Sequence, residues 1–204
     1  MPTCRPFAAA ALMAALTLAG CAKAGDPAGQ ARADDMSLGN PSAKVRVVEY
    51  ASASCPHCAR FAMDVFPAFK AKYVDTGKVR YTLREYLTDP AAIAAAGFLL
   101  ARCAGKDRYF PVLNAVFRGQ QAMVKTGDVR GVLARIAKSP GGLTEAQLDA
   151  CMRDEAAEKA LAARADRHLH ADKVTVTPTF IINGRRFEGG MTLPELDAAI
   201  AQAE

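Results

Sequence analysis

The chain has 204 residues, 51% hydrophobic and 23% charged, with a net charge of +5. That mix suits one globular domain with its own core. Acidic residues lie among the basic ones with no long basic run, which reads as a solvated surface and argues against nucleic-acid binding. No internal repeat is visible, and alanine richness is the only compositional bias.

At the start, Arg5 gives a short basic stretch and FAAAALMAALTLA (7–19) an apolar run. The run is shorter than the roughly 20 residues a membrane-crossing helix needs, and reads as the core of an export signal. It closes on LAGC, Leu18 to Cys21, which resembles the bacterial lipobox, where a cysteine is acylated and becomes the mature N-terminus. An ordinary signal cut near Cys21, leaving a free thiol, is the alternative. The expected division is a signal peptide at 1–20, a lipidated N-terminus and flexible tether at 21–41, and a folded domain at 42–204. The tether reading rests on small and polar residues that bury little apolar surface. With Cys4 in the leader and Cys21 acylated, Cys55, Cys58, Cys103 and Cys151 remain, an even count in a compartment where disulfides persist.

KVRVVEYAS (44–52) reads as a strand. A helix is expected from about Cys55, with Ser54 as N-cap, Pro56 early in the first turn, and Phe61, Val65, Phe69 and Tyr73 on one face. Pro67 should kink it, and Gly77 ends it. KVRYTLREY (78–86) is a second strand, with Arg84-Glu85 a candidate ion pair of no assigned role. Residues 88–171 are helical in pattern. Asp89-Pro90 opens a helix stopped by Gly105; others are expected over 107–118 and 128–138; Thr144 and Gln147 form a capping-box pattern leading, with a break, to His170. Phe98, Leu99, Leu100, Phe110, Val116 and Phe117 are read as core of this block. TPTFIING (177–184) restores strand character, Asn183-Gly184 marks a hairpin, and Thr192 with Glu195 caps a last helix bearing Leu193, Leu196 and Ile200. Two strands joined by a helix suggest a parallel crossover.

SASCPHCARF (52–61) carries the chemistry. A Cys55–Cys58 staple would close so short a loop that it constrains the unfolded chain little. As a metal site the stretch offers Cys55, His57 and Cys58, while zinc usually wants four ligands and no second Cys-x-x-Cys is present; copper could use fewer. A redox pair explains more of the surroundings. A thiol at a helix start faces the positive end of the helix dipole and free N–H groups, which favour thiolate. Cys55 is then the nucleophile and Cys58, one turn in, the more buried resolving thiol.

Three separated features resemble the thioredoxin superfamily and, within it, the DsbA-like thiol:disulfide oxidoreductases: Cys55-Pro56-His57-Cys58, Glu49 six residues earlier, and Thr177-Pro178. The resemblance covers roughly 36–204 and implies an α/β thioredoxin-like fold, with thioredoxin parts at 42–87 and 172–204 and a helical insertion at 88–171. It also implies a role for each residue. His57 would favour the Cys55 thiolate by hydrogen bonding or partial charge. Buried Glu49 would carry a proton to or from Cys58. Cis-Pro178 would present the Thr177 backbone to an extended substrate. Cys103 and Cys151 would form a second disulfide, as in some members of the family. The sequence departs from the DsbA prototype in carrying Thr177 where that protein has valine, which bears on redox strength and partner choice.

The resemblance thus implies an exported, lipid-anchored periplasmic enzyme that introduces disulfides into unfolded or partly folded exported proteins. A membrane redox partner would reoxidise it, and no organic cofactor or metal would be needed. The tether is too short to be an N-terminal dimerisation domain, which points to a monomer. The alternatives are a reductase or isomerase of the same fold, and a periplasmic copper- or zinc-handling protein using Cys55, His57 and Cys58.

Overall fold

The computed structural model describes Met1 and residues 29–204. The signal peptide, Cys21 and the first part of the tether lie outside the described residues. The elements run β1 (Met36–Leu38), β2 (Val45–Ala51), α1 (Pro56–Arg60), a π-helical turn (Phe61–Val65), α2 (Phe66–Phe69), a second π-helical turn (Lys70–Val74) and β3 (Val79–Glu85). Then come α3 (Ala91–Cys103), α4 (Lys106–Thr126), α5 (Val129–Lys138), α6 (Glu145–Met152), α7 (Glu155–Asp172), β4 (Thr179–Ile182), β5 (Arg185–Glu188) and α8 (Leu193–Ala201). This is a mixed α/β thioredoxin-like fold in which five helices, α3 to α7, separate the βαβ unit from the terminal hairpin and helix.

The five strands form one sheet in the order β1-β3-β2-β4-β5. β2 and β3 are parallel, joined by the helical crossover, with Glu49 opposite Leu83; the other pairings are antiparallel. β2 is therefore central, and six of its seven residues are buried, as expected of a strand covered on both faces. Alternation assigns the faces. Val47, Ala51, Tyr81 and Leu83 join the main core with α1, α2 and the helical block, whereas Val48, Tyr50 and Ile181 pack with Val174 in a smaller cluster bordered by Leu169 of α7.

Local chemistry explains most boundaries. Thr144 with Gln147, and Thr192 with Glu195, form complete capping boxes at the starts of α6 and α8. Asp128 and Asp154 cap α5 and α7 through Gly131 and Ala157. Asn183 (φ 44°) and Gly184 (φ 88°) are both left-handed, the conformation a tight hairpin turn requires. Pro67 has no N–H to offer the preceding turn, and the helix there widens, Phe66 N–H reaching back to the Phe61 carbonyl. Cys103 and Cys151 form a disulfide that ties α3 to α6 across a separation of 48 residues.

Four expectations are corrected. Residues 29–41 are not free tether: β1 pairs with β3, and Asp35 is held by the buried Arg84 guanidinium at 3.0 Å. The polar character read as tether belongs instead to an ion network. Arg84 and Glu85 do not pair with each other, because neighbouring strand residues point to opposite faces. Arg84 bonds Asp35 and Asp172, while Glu85 bonds Arg102 and Arg164. The helix expected over 107–118 continues to Thr126 through Gly119, whose missing side chain makes room for Val132 of α5; a Cβ there would sit 2.7 Å from its Cγ1. Ser54 is not the helix cap. Cys55 occupies that position, and the Ser54 hydroxyl donates to the Thr88 carbonyl at 2.8 Å.

Candidate active site

Cys55 is the extended residue at which the chain turns from the β2 loop into α1 (φ −82°, ψ 120°). Pro56 supplies the preset φ of the first helical position, where its lack of an N–H costs nothing. The turn is pinned from two sides. Cys55 N–H donates to the Ser52 carbonyl at 3.0 Å, and the Gln120 side-chain amide of α4 donates to the carbonyls of Ala53 and Cys55 at 2.8 and 3.1 Å. Gln120 carries no sequence signal of this task; in a helical pattern it reads as one more surface glutamine.

Both thiols are unbonded in this state, with Cys55 7% exposed and Cys58 0% exposed. Cys55 is pulled down to about 5. The largest cause is the hydrogen bond it receives from the Cys58 thiol, opposed by burial and assisted by the Thr177 side chain and the backbone N–H groups of Cys58 and His57. Cys58 is pushed far the other way, first by burial, then by its bond to Cys55 and the negative charge of Glu49. Ser52 N–H, at 3.5 Å from the Cys58 sulfur, gives partial relief. Both cysteines are thus buried, Cys55 with a small exposed fraction and a sulfur that favours the thiolate at neutral pH, Cys58 fully enclosed and protonated.

Glu49 shares the sheet face of Val47 and Ala51, beneath the dithiol. It is buried and receives the Tyr81 hydroxyl at 2.5 Å. Burial lifts its carboxyl to about 8; the Tyr81 bond lowers it, and negative charge at Cys55 raises it further. Tyr81 was not singled out in the sequence, although its place in β3 opposite Val47 follows from the parallel pairing. The Thr177–Pro178 peptide is cis, and the Thr177 carbonyl lies 3.5 Å from the Cys55 sulfur.

His57 departs from its expected geometry. Its ring is exposed and its Nδ1 is 3.2 Å from the Arg60 guanidinium. Its influence on Cys55 runs through the backbone N–H. The same geometry bears on metal binding, since the imidazole is engaged by a cation beside the two sulfurs. Among the described residues, Asp34, Asp35 and His168 approach closely enough to share an ion, but both Asp35 oxygens are already held by Arg84.

The family model described as thioredoxin matches residues 31–202. A curated relative from Rickettsia bellii, named "Putative protein-disulfide oxidoreductase", is 33% identical over 83% of this chain. The match spans 64% of that relative's length, so this chain covers less than two thirds of it. The structure of alpha-DsbA1 from Wolbachia pipientis superposes with a TM-score of 0.77 at 27% identity, over 85% of this chain and 92% of that one. A protein-disulfide isomerase from Novosphingobium aromaticivorans gives 0.70 at 27% identity, over 83% and 97%. With a dithiol at a helix start, a cis-proline loop beside it and a family match over nearly the whole described domain, the chain belongs to the thioredoxin family as a DsbA-like member.

Proposed function

We propose that this protein is an exported thiol:disulfide oxidoreductase that donates disulfides to unfolded or partly folded proteins. The observation that carries the reading is the split between Cys55, held down to about 5, and the buried, protonated Cys58. A stabilised thiolate favours the reduced dithiol, and so makes the Cys55–Cys58 disulfide oxidising.

The cycle follows from the two environments. A substrate thiolate attacks the Cys55 sulfur of the oxidised pair, forming a mixed disulfide and breaking the Cys55–Cys58 bond. Cys58 leaves as a thiolate that its buried site disfavours, and takes a proton for which protonated Glu49 is the nearby source. The substrate's second thiolate then attacks its own sulfur in the mixed disulfide and expels Cys55 as the favoured thiolate. Two electrons have moved from substrate to enzyme, and the pair is reset by a membrane partner that accepts them. The Thr177 carbonyl beside Cys55 offers a backbone acceptor to an extended substrate segment.

We further propose that the protein works in the periplasm, anchored by lipid on Cys21; LAGC at the end of the apolar run supports this. Among the described residues no helix is long and apolar enough to cross a membrane. The reaction needs only the two sulfurs of one chain, which suits a monomer. Mixing oxidised protein with a reduced two-cysteine peptide tests the activity. Peptide disulfide and reduced enzyme should appear one for one, Cys55→Ser should form neither, and Cys58→Ser mixed with disulfide-bonded peptide should hold a mixed disulfide on Cys55. A wild-type protein that leaves the peptide reduced contradicts the reading.

A further inference from the structure

Next to the dithiol lies a groove of about 650 Å³ between α1, with the π-helical turn that follows it, and α4. Ser54 and Pro56 line its end nearest the nucleophile, and Met63, Phe117 and Val124 form apolar wall. Met63 is 46% exposed and Val124 54%; with Val176 at 43%, beside Thr177, they are the large apolar side chains left exposed among residues 29–204. Two of the three line this groove, and the third flanks the loop facing Cys55. Such clustering marks a contact surface, whereas isolated exposed apolar residues do not.

The rim is mostly cationic. Arg60, Arg118 and Lys125 stand against Asp89, all four exposed. Arg60 is engaged with His57, and neither Arg118 nor Lys125 has an ion-pair partner among the described residues. The groove begins at the dithiol: Ser54 and Pro56, the neighbours of Cys55 in the chain, both line it, so a substrate segment joined to the Cys55 sulfur lies within reach of it.

We infer that this groove holds the stretch of substrate polypeptide flanking its reacting cysteine, and selects segments that combine an apolar side chain with carboxylates. The inference rests on the exchange activity proposed above and adds its substrate preference. The apolar side chain packs against Met63, Phe117 and Val124, and the carboxylates face Arg118, Lys125 and Arg60. Because the rim is exposed, its pairs are individually weak and screened by salt, so they act mainly on the rate of productive encounter.

The test uses two reduced peptides with the same cysteine spacing and the same apolar residue, one flanked by Asp and Glu, the other by Lys. Oxidised wild-type protein should oxidise the acidic peptide about tenfold faster at low ionic strength, with the ratio collapsing toward one in high salt. The ratio should fall several-fold in Arg118→Gln and invert in the double variant R118E/K125E. Val124→Ser should slow both peptides alike. Because the charge variants are read as a ratio between peptides, a general loss of folded protein cannot mimic their result, and Val124→Ser is compared with wild type at equal concentrations of protein shown to be folded by circular dichroism. Equal wild-type rates for the two peptides, or an acidic preference surviving in R118E/K125E, overturn the inference while leaving the exchange activity standing. Failure to oxidise either peptide overturns both.

Discussion

At the scale of single residues, the site is a set of opposed protonation preferences. Cys55 is a depressed acid, at about 5 against an ordinary 9.0. Its thiolate stabilises the folded reduced protein fully above the ordinary thiol value, and the contribution disappears as pH falls through about 5. At pH 7 the effect is on the order of 2–3 kcal/mol. Glu49 runs the other way, at about 8 against 4.5. Between those two values the folded state holds a proton that the unfolded state has released, so stability falls as pH rises through that window. Glu49→Gln removes the cost. Its thermal unfolding should match wild type near pH 4 and exceed it by about 4 kcal/mol at pH 8; parallel curves across the range would contradict the raised carboxyl. Cys55, Cys58 and Glu49 were legible in the sequence because residue type and spacing carry their chemistry. The turning of His57 toward Arg60 was not, because both side chains stand at the surface and spacing does not decide which way an exposed ring points.

At the scale of elements, the helical insertion holds the dithiol as well as covering the sheet. α3 approaches the active-site turn closely at Gly97, where a Cβ would lie 2.8 Å from Val116 Cγ1 and 3.0 Å from the Ala53 Cβ. α4 then supplies Gln120 to the two carbonyls around Cys55. Gln120→Leu leaves the buried Ala53 carbonyl unpaired, while the Cys55 carbonyl keeps only the Ala59 N–H. It should lower stability by about 1–3 kcal/mol and broaden the Cys55 and Cys58 amide signals in NMR spectra of the reduced protein. Unchanged stability with unchanged signals would show the turn to be self-supporting. The insertion's helices were legible through capping boxes, the Gly105 stop and helical spacing. The length of α4 was not, because Gly119 looks like an ending until Val132 of α5 is known to pack on it. Helix-to-helix contact of that kind is invisible along the chain.

At the scale of the whole molecule, one sheet keeps two chemistries apart. The face of Glu49 carries the dithiol; the opposite face carries a buried ion network in which Arg84 joins Asp35, Asp172 and the Tyr50 hydroxyl. That network fastens the segment before β1 and the end of α7 to β3. It was hidden because its members lie 49 and 88 positions from Arg84, and each alone reads as a surface charge. Arg84→Met strands two buried carboxylates and should cost about 3–5 kcal/mol in urea unfolding, most of it regained in R84M/D35N/D172N. A loss below about 1 kcal/mol would mean that those charges are solvated. The parallel β2–β3 crossover and the hairpin, by contrast, follow from local patterns already present in the chain. The central claim is that this scaffold makes the Cys55–Cys58 disulfide an oxidant, and the reduction potential tests it most directly. Residues 22–204 equilibrated in glutathione buffers, with the pair followed by alkylation, should give a value between about −120 and −180 mV, the range of oxidising and shuffling members of this fold. A value at or below about −230 mV would place the protein among reductants and contradict the account.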